Sequence, residues 1–262
     1  RDHRKITVID GHPAFTGGIN LEDRYINIRS PYGHWKDTAV MVKGDAVQSF
    51  TMMFLQMWNY NERERIFTPY LALPEHPQKT EGYVIPYGDT PMDDENVGEM
   101  VYLDMLNRAT DYAWIMTPYL IPDNELLTAL QFAAKRGVDV RLILPGIPDK
   151  KTVYALSRSY YRQLLDAGVK IYEYTPGFIH GKVALCDGIH GVVGSINLDY
   201  RSLYHHFECA AYLYRVPALT DIRTDFEQTM NLCRRIYPEH LRSFPLWARL
   251  FAYIAKFAAP LV

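Results

Sequence analysis

Residues 177–197 read GFIHGKVALCDGIHGVVGSIN, and residues 1–20 read RDHRKITVIDGHPAFTGGIN. His3, Lys5, Asp10, Gly18 and Asn20 each stand 177 residues before a counterpart: His180, Lys182, Asp187, Ser195 and Asn197. One offset held over five positions implies a single folding unit written twice. In a strand, residues two apart share a face, so each His-x-Lys presents an imidazole and an ammonium together. Asp10-Gly11 and Asp187-Gly188 are hairpin-turn dipeptides. The return segments AFTGGIN and GVVGSIN bring Asn20 and Asn197 back beside the histidines. Gly17-Gly18 and Gly194-Ser195 are small enough for close backbone approach to a ligand.

Outward from the second motif, the copy is complete. Residues 98–112 carry apolar side chains at helical spacing, and AWIMTPYLIP reads as a buried strand ending in a proline-rich loop. Asp123 caps a helix running to Arg136, with Gly137 just past its end. VDVRLILP is a strand, 149–167 a helix closed by Gly168, and VKIYEY a strand leading into the motif strand FIHGKVALCD. This β-α-β-α-β order predicts an α/β fold with a mainly parallel sheet and helices on its faces. After each motif come a strand and a helix: KDTAVMVKG and DAVQSFTMMFLQMWNYN in the first copy, FECAAYLYR and PALTDIRTDFEQTMNLCRRIY in the second. Residues 67–96, rich in Pro, Gly and acidic residues, read as the connection. The first copy begins at its motif, so its upstream βα units are expected to be missing from a truncated first domain.

The whole chain narrows the classes. Its 262 residues carry a net charge of −2, and the pI is about 6.5, a balance that disfavours a dedicated nucleic-acid binder. Cys186, Cys209 and Cys233 form no CxxC pair and read as reduced thiols. No run of 18 apolar residues demands a membrane span.

Two such units packed face to face would gather two His, two Lys and two Asn at one cleft. Two neighbouring lysines are costly unless an anion lies between them. A phosphodiester suits that charge, with Asn20, Asn197, Gly18 and Ser195 offering the phosphate-binding groups. One histidine can attack phosphorus while the other protonates the leaving oxygen, the roles then reversing. The lysines offset the developing charge, so neither metal nor cofactor is required. An attacking imidazole needs its other nitrogen held by a carboxylate. Asp37 and Glu208 begin the strands after the two motifs and are the candidates, one for each ring. Asp10 and Asp187 belong to the motif, though their Asp-Gly context marks them first as turn residues. His205, His206 and Glu208 are adjacent, but successive strand residues face opposite ways, which argues against a catalytic metal there.

At these residues the chain resembles the phospholipase D superfamily, whose signature is His-x-Lys, four residues, Asp, then a small pair and Asn. HRKITVIDGHPAFTGGIN, YGHWKDTAVMVKGDAV, TPYLIPDNELLTAL, RGVDVRLILPG and GSINLDYRS resemble bacterial cardiolipin synthases in particular. The resemblance implies two pseudo-symmetric phospholipase D-type α/β/α domains with mixed, mainly parallel sheets, the first truncated at its N-terminus. Residues 1–85 would be the end of the first domain, 86–243 the second, and 244–262 an amphipathic C-terminal helix. It further implies that His3, Lys5, Asp10, His180, Lys182 and Asp187 are catalytic. Two phosphatidylglycerols would give cardiolipin and glycerol through a phosphatidyl-histidine, with His3 the usual nucleophile and His180 the acid. His206 stands where relatives often have Asn.

Residues 244–262, FPLWARLFAYIAKFAAPLV, are aromatic on one helical face and cationic on the other, which suits either a lipid surface or the protein's own core. The implied setting is the bacterial cell membrane, with the catalytic domains facing the cytoplasm and phosphatidylglycerol and cardiolipin as ligands. Tyr119 is a candidate for the rim of the acyl or headgroup pocket. Two other readings share these residues: a phospholipase D or nuclease with water as acceptor, and a non-catalytic lipid-binding relative. The sequence sets no oligomeric state.

Overall fold

The computed structural model describes residues 1–71 and 81–243, so the terminal segment 244–262 and part of the connection lie outside the described residues. Strands β1 (Ile6–Val8), β2 (Pro13–Gly17), β3 (His34–Lys36) and β4 (Ala39–Lys43) precede helix α1 (Ala46–Trp58). Then come β5 (Tyr83–Asp89), α2 (Val97–Arg108), β6 (Tyr112–Met116), β7 (Leu120–Ile121), α3 (Asn124–Lys135), β8 (Asp139–Pro145), α4 (Lys151–Ser159) and α5 (Tyr161–Asp166). The chain continues through β9 (Lys170–Tyr174), β10 (Gly177–Ile179), β11 (Val183–Cys186), β12 (His190–Gly194), β13 (Leu198–Asp199), β14 (Glu208–Tyr214), α6 (Ala218–Asn231) and β15 (Cys233–Ile236).

Eight strands form one sheet in the order β15-β9-β8-β6-β11-β12-β14-β5. It is mixed. Parallel pairing is confined to β6–β8 and β8–β9, where α3 and the α4–α5 pair make the crossovers, and the other five neighbour pairs are antiparallel. Five of the eight strands still run one way, so the mainly parallel expectation holds for direction and not for pairing. Hairpin connections, which the Asp-Gly turns impose, can only make antiparallel neighbours.

Side chains along β6 alternate between two cores. Ala113 and Ile115 pack with Leu106 of α2, Leu126 and Leu130 of α3 and Leu164 of α5. Trp114 and Met116 pack with Phe226 of α6 and with Val47, Phe50 and Met53 of α1. Strands β1, β2 and β4 form a small antiparallel sheet whose Ala14 and Val42 join that second core. The first motif is therefore seated on the sheet of the second. Fully buried Phe50 and Phe226 each contribute about 1.5–3 kcal/mol of transfer free energy to that seat.

Some expectations shift. Residues 83–89, read as connection, are edge strand β5; Pro86 hid it, and proline is tolerated where one strand face bears no partner. β5 spans the expected domain boundary at 85/86, and all seven of its residues pair with β14. The helix expected to reach Tyr237 ends at Asn231, and β15 adds to the sheet edge instead. The helix expected over 149–167 is two helices meeting at Tyr160. Asp123 does cap α3, accepting from Leu126 N at 2.9 Å.

Candidate active site

Neither His-x-Lys lies inside a regular strand: residues 3–5 precede β1, and residues 180–182 fill the break between β10 and β11. Each histidine is placed by a parallel contact with the other half of the chain. Asp2 bridges Phe207, and His3 N donates to Phe207 O at 2.9 Å. That register sets His3 beside Glu208. Likewise β10 pairs with β3, Ile179 opposite Lys36, and His180 N donates to Lys36 O at 2.7 Å. That register sets His180 beside Asp37.

The carboxylates are thus crossed between the halves. His3 Nδ1 lies 2.8 and 3.0 Å from the two oxygens of Glu208. His180 Nδ1 lies 2.8 Å from Asp37 Oδ2. With Nδ1–H donated to a carboxylate, each ring keeps its lone pair on Nε2. The lysines fold back onto their own histidines. Lys5 Nζ donates to His3 O at 2.6 Å, and Lys182 Nζ donates to His180 O and lies 3.0 Å from His180 Nδ1.

Burial sets the charge states. Lys182 is wholly buried, and desolvation drives its ammonium down to about 7 against the pull of Asp37. Desolvation and the Lys182 charge hold His180 at about 3, despite Asp37. Desolvation also lowers His3 and Lys5. Burial pushes the Glu208 carboxyl up, but the His206 and His3 imidazoles and the Ser195 hydroxyl outweigh it and hold it at about 2. Lys182 lowers His3, and Lys5 lowers His180, so each cation is felt at the opposite ring. The arrangement sets two desolvated lysines, offset by the Asp37 and Glu208 carboxylates, beside two imidazoles that burial biases toward the neutral form.

The remaining motif residues divide. Asn20 is exposed and donates to Tyr25 OH at 2.6 Å, and Tyr25 meets the His180 ring edge-on at 5.2 Å. Asn197 is buried; its amide donates to Asp199 at 3.1 Å, and its Oδ1 has no partner. Ser195 was expected on phosphate, but it is fully buried and its hydroxyl donates to Glu208 and accepts from Cys209 N at 3.0 Å. It holds the carboxylate that holds His3. Gly18 takes the matching place in the first half: a Cβ there would lie 2.1 Å from Asp37 Oδ1 and 2.8 Å from His180 O. Both small residues therefore seat a carboxylate.

Asp10 and Asp187 lie outside the cluster, contrary to their place among the expected catalytic residues. Both adopt left-handed turn conformations, φ 49° and 54°. Asp187 accepts from the backbone N–H groups of Thr110, Asp111 and Tyr112 at 2.8–3.0 Å, fixing the start of β6. Strand β11 separates it from Lys182, five steps or about 16 Å at roughly 3.3 Å per step.

Three contributors escaped the sequence reading. Trp35 packs on His180 at 5.0 Å between ring centroids, and its Nε1 donates to Asp37 Oδ2 at 3.3 Å. Tyr25 and Phe178 complete the apolar wall that desolvates His180. The signal was present for Trp35, which stands two residues before Asp37. Tyr119 packs against Phe178 and donates to Asp149 at 2.7 Å. His3, His206 and Glu208 also form the one group of three potential metal ligands that touches this site among the described residues.

The family described as "Cardiolipin synthase, PLD-like domain" matches residues 102–230. The cardiolipin synthase of Geobacillus kaustophilus is 39% identical over 263 residues, covering all of this chain and 52% of that protein. The chain is similar to the cardiolipin synthase family, within the phospholipase D superfamily. Cardiolipin synthase 2 of Bacillus cereus is 38% identical over 263 residues, with 51% of its length covered. An uncharacterized protein of Streptococcus mutans is 57% identical over the full 262 residues and 57% of its own length. The chain thus spans about half the length of the curated relatives it matches. The family match holds the second motif and Glu208, while the first motif lies outside it and inside the alignments to the cardiolipin synthases. Phosphatidylserine synthase of Haemophilus influenzae Rd KW20 shares the phospholipase D fold at a TM-score of 0.75 and 14% identity, over 100% of this chain and 71% of that one. The phospholipase D family member Nuc of Salmonella typhimurium superposes on 60% of this chain and 99% of its own at a TM-score of 0.51 and 18% identity.

Proposed function

We propose that this chain carries the reaction centre of a phosphatidyltransferase that joins two phosphatidylglycerols into cardiolipin and glycerol. The observation that carries the reading is the crossed pairing of His3 with Glu208 and His180 with Asp37. Two imidazoles, each oriented by a carboxylate of the opposite half, are what a double displacement at phosphorus needs. One ring attacks phosphorus through Nε2, the bond to the departing glycerol oxygen breaks, and the other ring, as imidazolium, gives that oxygen its proton. A second phosphatidylglycerol hydroxyl then loses its proton to that ring and attacks, breaking the P–N bond. Lys5 and Lys182 offset the charge gathering on the phosphoryl oxygens.

The surroundings favour His180 as the attacking ring and His3 as the acid, the reverse of the order the family resemblance implies. An ammonium 3.0 Å from Nδ1 opposes a charged His180, whereas Glu208 supports a charged His3. The lipid substrate also fits the rim. Leu21, Ile26 and Ile28 are exposed on the loop whose Tyr25 rests on His180, as a site meeting a bilayer surface would have them. The site is built from two copies of one hairpin unit, β1–β2–β4–α1 and β11–β12–β14–α6, with the boundary between domains ahead of Tyr83.

The test is incubation of the whole natural protein with phosphatidylglycerol vesicles and a chelator. Cardiolipin and free glycerol support the reading. Phosphatidic acid as the main product makes it a hydrolase, and no turnover makes it a lipid-binding relative. Acid-labile label trapped on a peptide containing His180 assigns the nucleophile; label at His3 reverses the assignment.

A further inference from the structure

His206 stands beside Glu208 and has no proton to move in the transfer reaction. Its Nδ1 is buried with no hydrogen-bond partner, 3.6 Å from Glu208 Oε1, beyond hydrogen-bond reach. Its ring centroid is 5.5 Å from that of His3. The ligand-capable atoms of His3, His206 and Glu208 all lie within 4.8 Å of one another. His206 and Glu208 are two residues apart in extended chain and share a face. The Asp2–Phe207 bridge delivers His3 to that face. Two imidazoles and a carboxylate are the donor set of three-ligand zinc sites with an open fourth position.

We propose that His3, His206 and Glu208 form a binding site for a divalent transition metal, Zn²⁺ above all, whose occupation shuts the reaction centre. Tetrahedral bonds of about 2.0–2.2 Å place ligand atoms roughly 3.4 Å apart. The His3–Glu208 contact at 2.8 Å must open slightly, and the His206 ring must turn inward. The Glu208 carboxylate offsets the fields of Lys5 and Lys182, both felt at His3. Mg²⁺ and Ca²⁺ want six or more oxygen ligands and are excluded by the donors.

The metal would take His3 Nδ1, the atom Glu208 now holds. The neutral ring then carries its proton on Nε2, which has no lone pair for attack or proton uptake and releases that proton far less readily than an imidazolium. Metal and substrate chemistry compete for one ring. The inhibition rests on the proposed transfer reaction, and the metal site does not.

The experiment is Zn²⁺ binding to the whole protein by chromophoric-chelator competition, with Co²⁺ absorption and thermal melting as parallel readouts. Expected are one Zn²⁺ per chain, a tetrahedral Co²⁺ spectrum lacking a thiolate band, and a rise in Tm on adding Zn²⁺. His206→Asn, folded by circular dichroism, should bind about tenfold or more weakly, the scale on which even a lost outer partner weakens a metal site. Equal affinity in that variant, or a thiolate-to-cobalt band, overturns the site. Binding without loss of cardiolipin formation overturns the inhibition. Protein that binds Zn²⁺ as expected yet makes no cardiolipin with chelator present overturns the transfer reaction and leaves the metal site standing.

Discussion

Replacing Glu208 by Gln tests the crossed pairing most directly. Glu208 is fully buried, and its neighbours hold it at about 2 rather than 4.5. At 1.36 kcal/mol per unit, that depression is worth about 3 kcal/mol in favour of the folded state. The sign follows from the direction. A carboxylate whose folded pKa is depressed stabilises above its unfolded pKa and loses that contribution as pH falls through the folded value. Urea unfolding followed by tryptophan fluorescence should therefore show E208Q about 3 kcal/mol less stable than the parent at pH 7. The gap should narrow below pH 4.5 and close near pH 2. A double-mutant cycle supplies the partner. E208Q and His3→Ala should couple by about 1.5–3 kcal/mol, the range for a hydrogen bond to a charged group. E208Q and His180→Ala should be additive. A pH-independent loss, or coupling to His180 in place of His3, would refute the reasoning.

Lys182→Met should abolish transfer yet stabilise the fold. A lysine held at about 7 costs on the order of 5 kcal/mol where it must stay charged, so the gain should be largest below pH 7 and fade toward pH 10.5; a destabilised variant at pH 6 contradicts this. Gly18→Ala should cut turnover about 100-fold by pushing the Asp37 carboxylate off His180, on the scale of an ångström's misplacement in a reaction centre; unaltered kcat would remove Asp37 from its orienting role. Asp187→Ala should cost about 1–3 kcal/mol by orphaning the amides of residues 110–112, with turnover per folded molecule retained; loss of turnover in a folded variant would return Asp187 to the chemistry. Leu21→Asp with Ile26→Asp should weaken sedimentation with anionic vesicles several-fold while sparing turnover of a short-chain soluble substrate, and unchanged sedimentation would place the bilayer elsewhere.

Much of this was legible in the sequence. Repeated His, Lys and Asn at one offset drew attention to the residues of the candidate site, and period-two and helical patterns located most elements. What escaped was contextual. Pro86 disguised β5, because the residue's missing N–H matters only if a partner is needed on that side, and the chain does not state that β5 is an edge. β15 sat inside a stretch whose arginines suit a helix end or an edge strand equally. Ser195 and Gly18 looked like phosphate seats because small residues are ambiguous until their neighbours are known.

The local pattern alone determined the two hairpins, their left-handed Asp-Gly turns, and the gathering of each lysine onto its own histidine, since all of these act within a few residues. Which carboxylate serves which ring was decided only by the packing of distant segments. Residues 2 and 207, and 36 and 179, meet in parallel, and one step further along each register His3 meets Glu208 and His180 meets Asp37. The depressed His180 and Lys182 have the same origin, because desolvation is a property of everything packed around a group, including residues more than a hundred positions away.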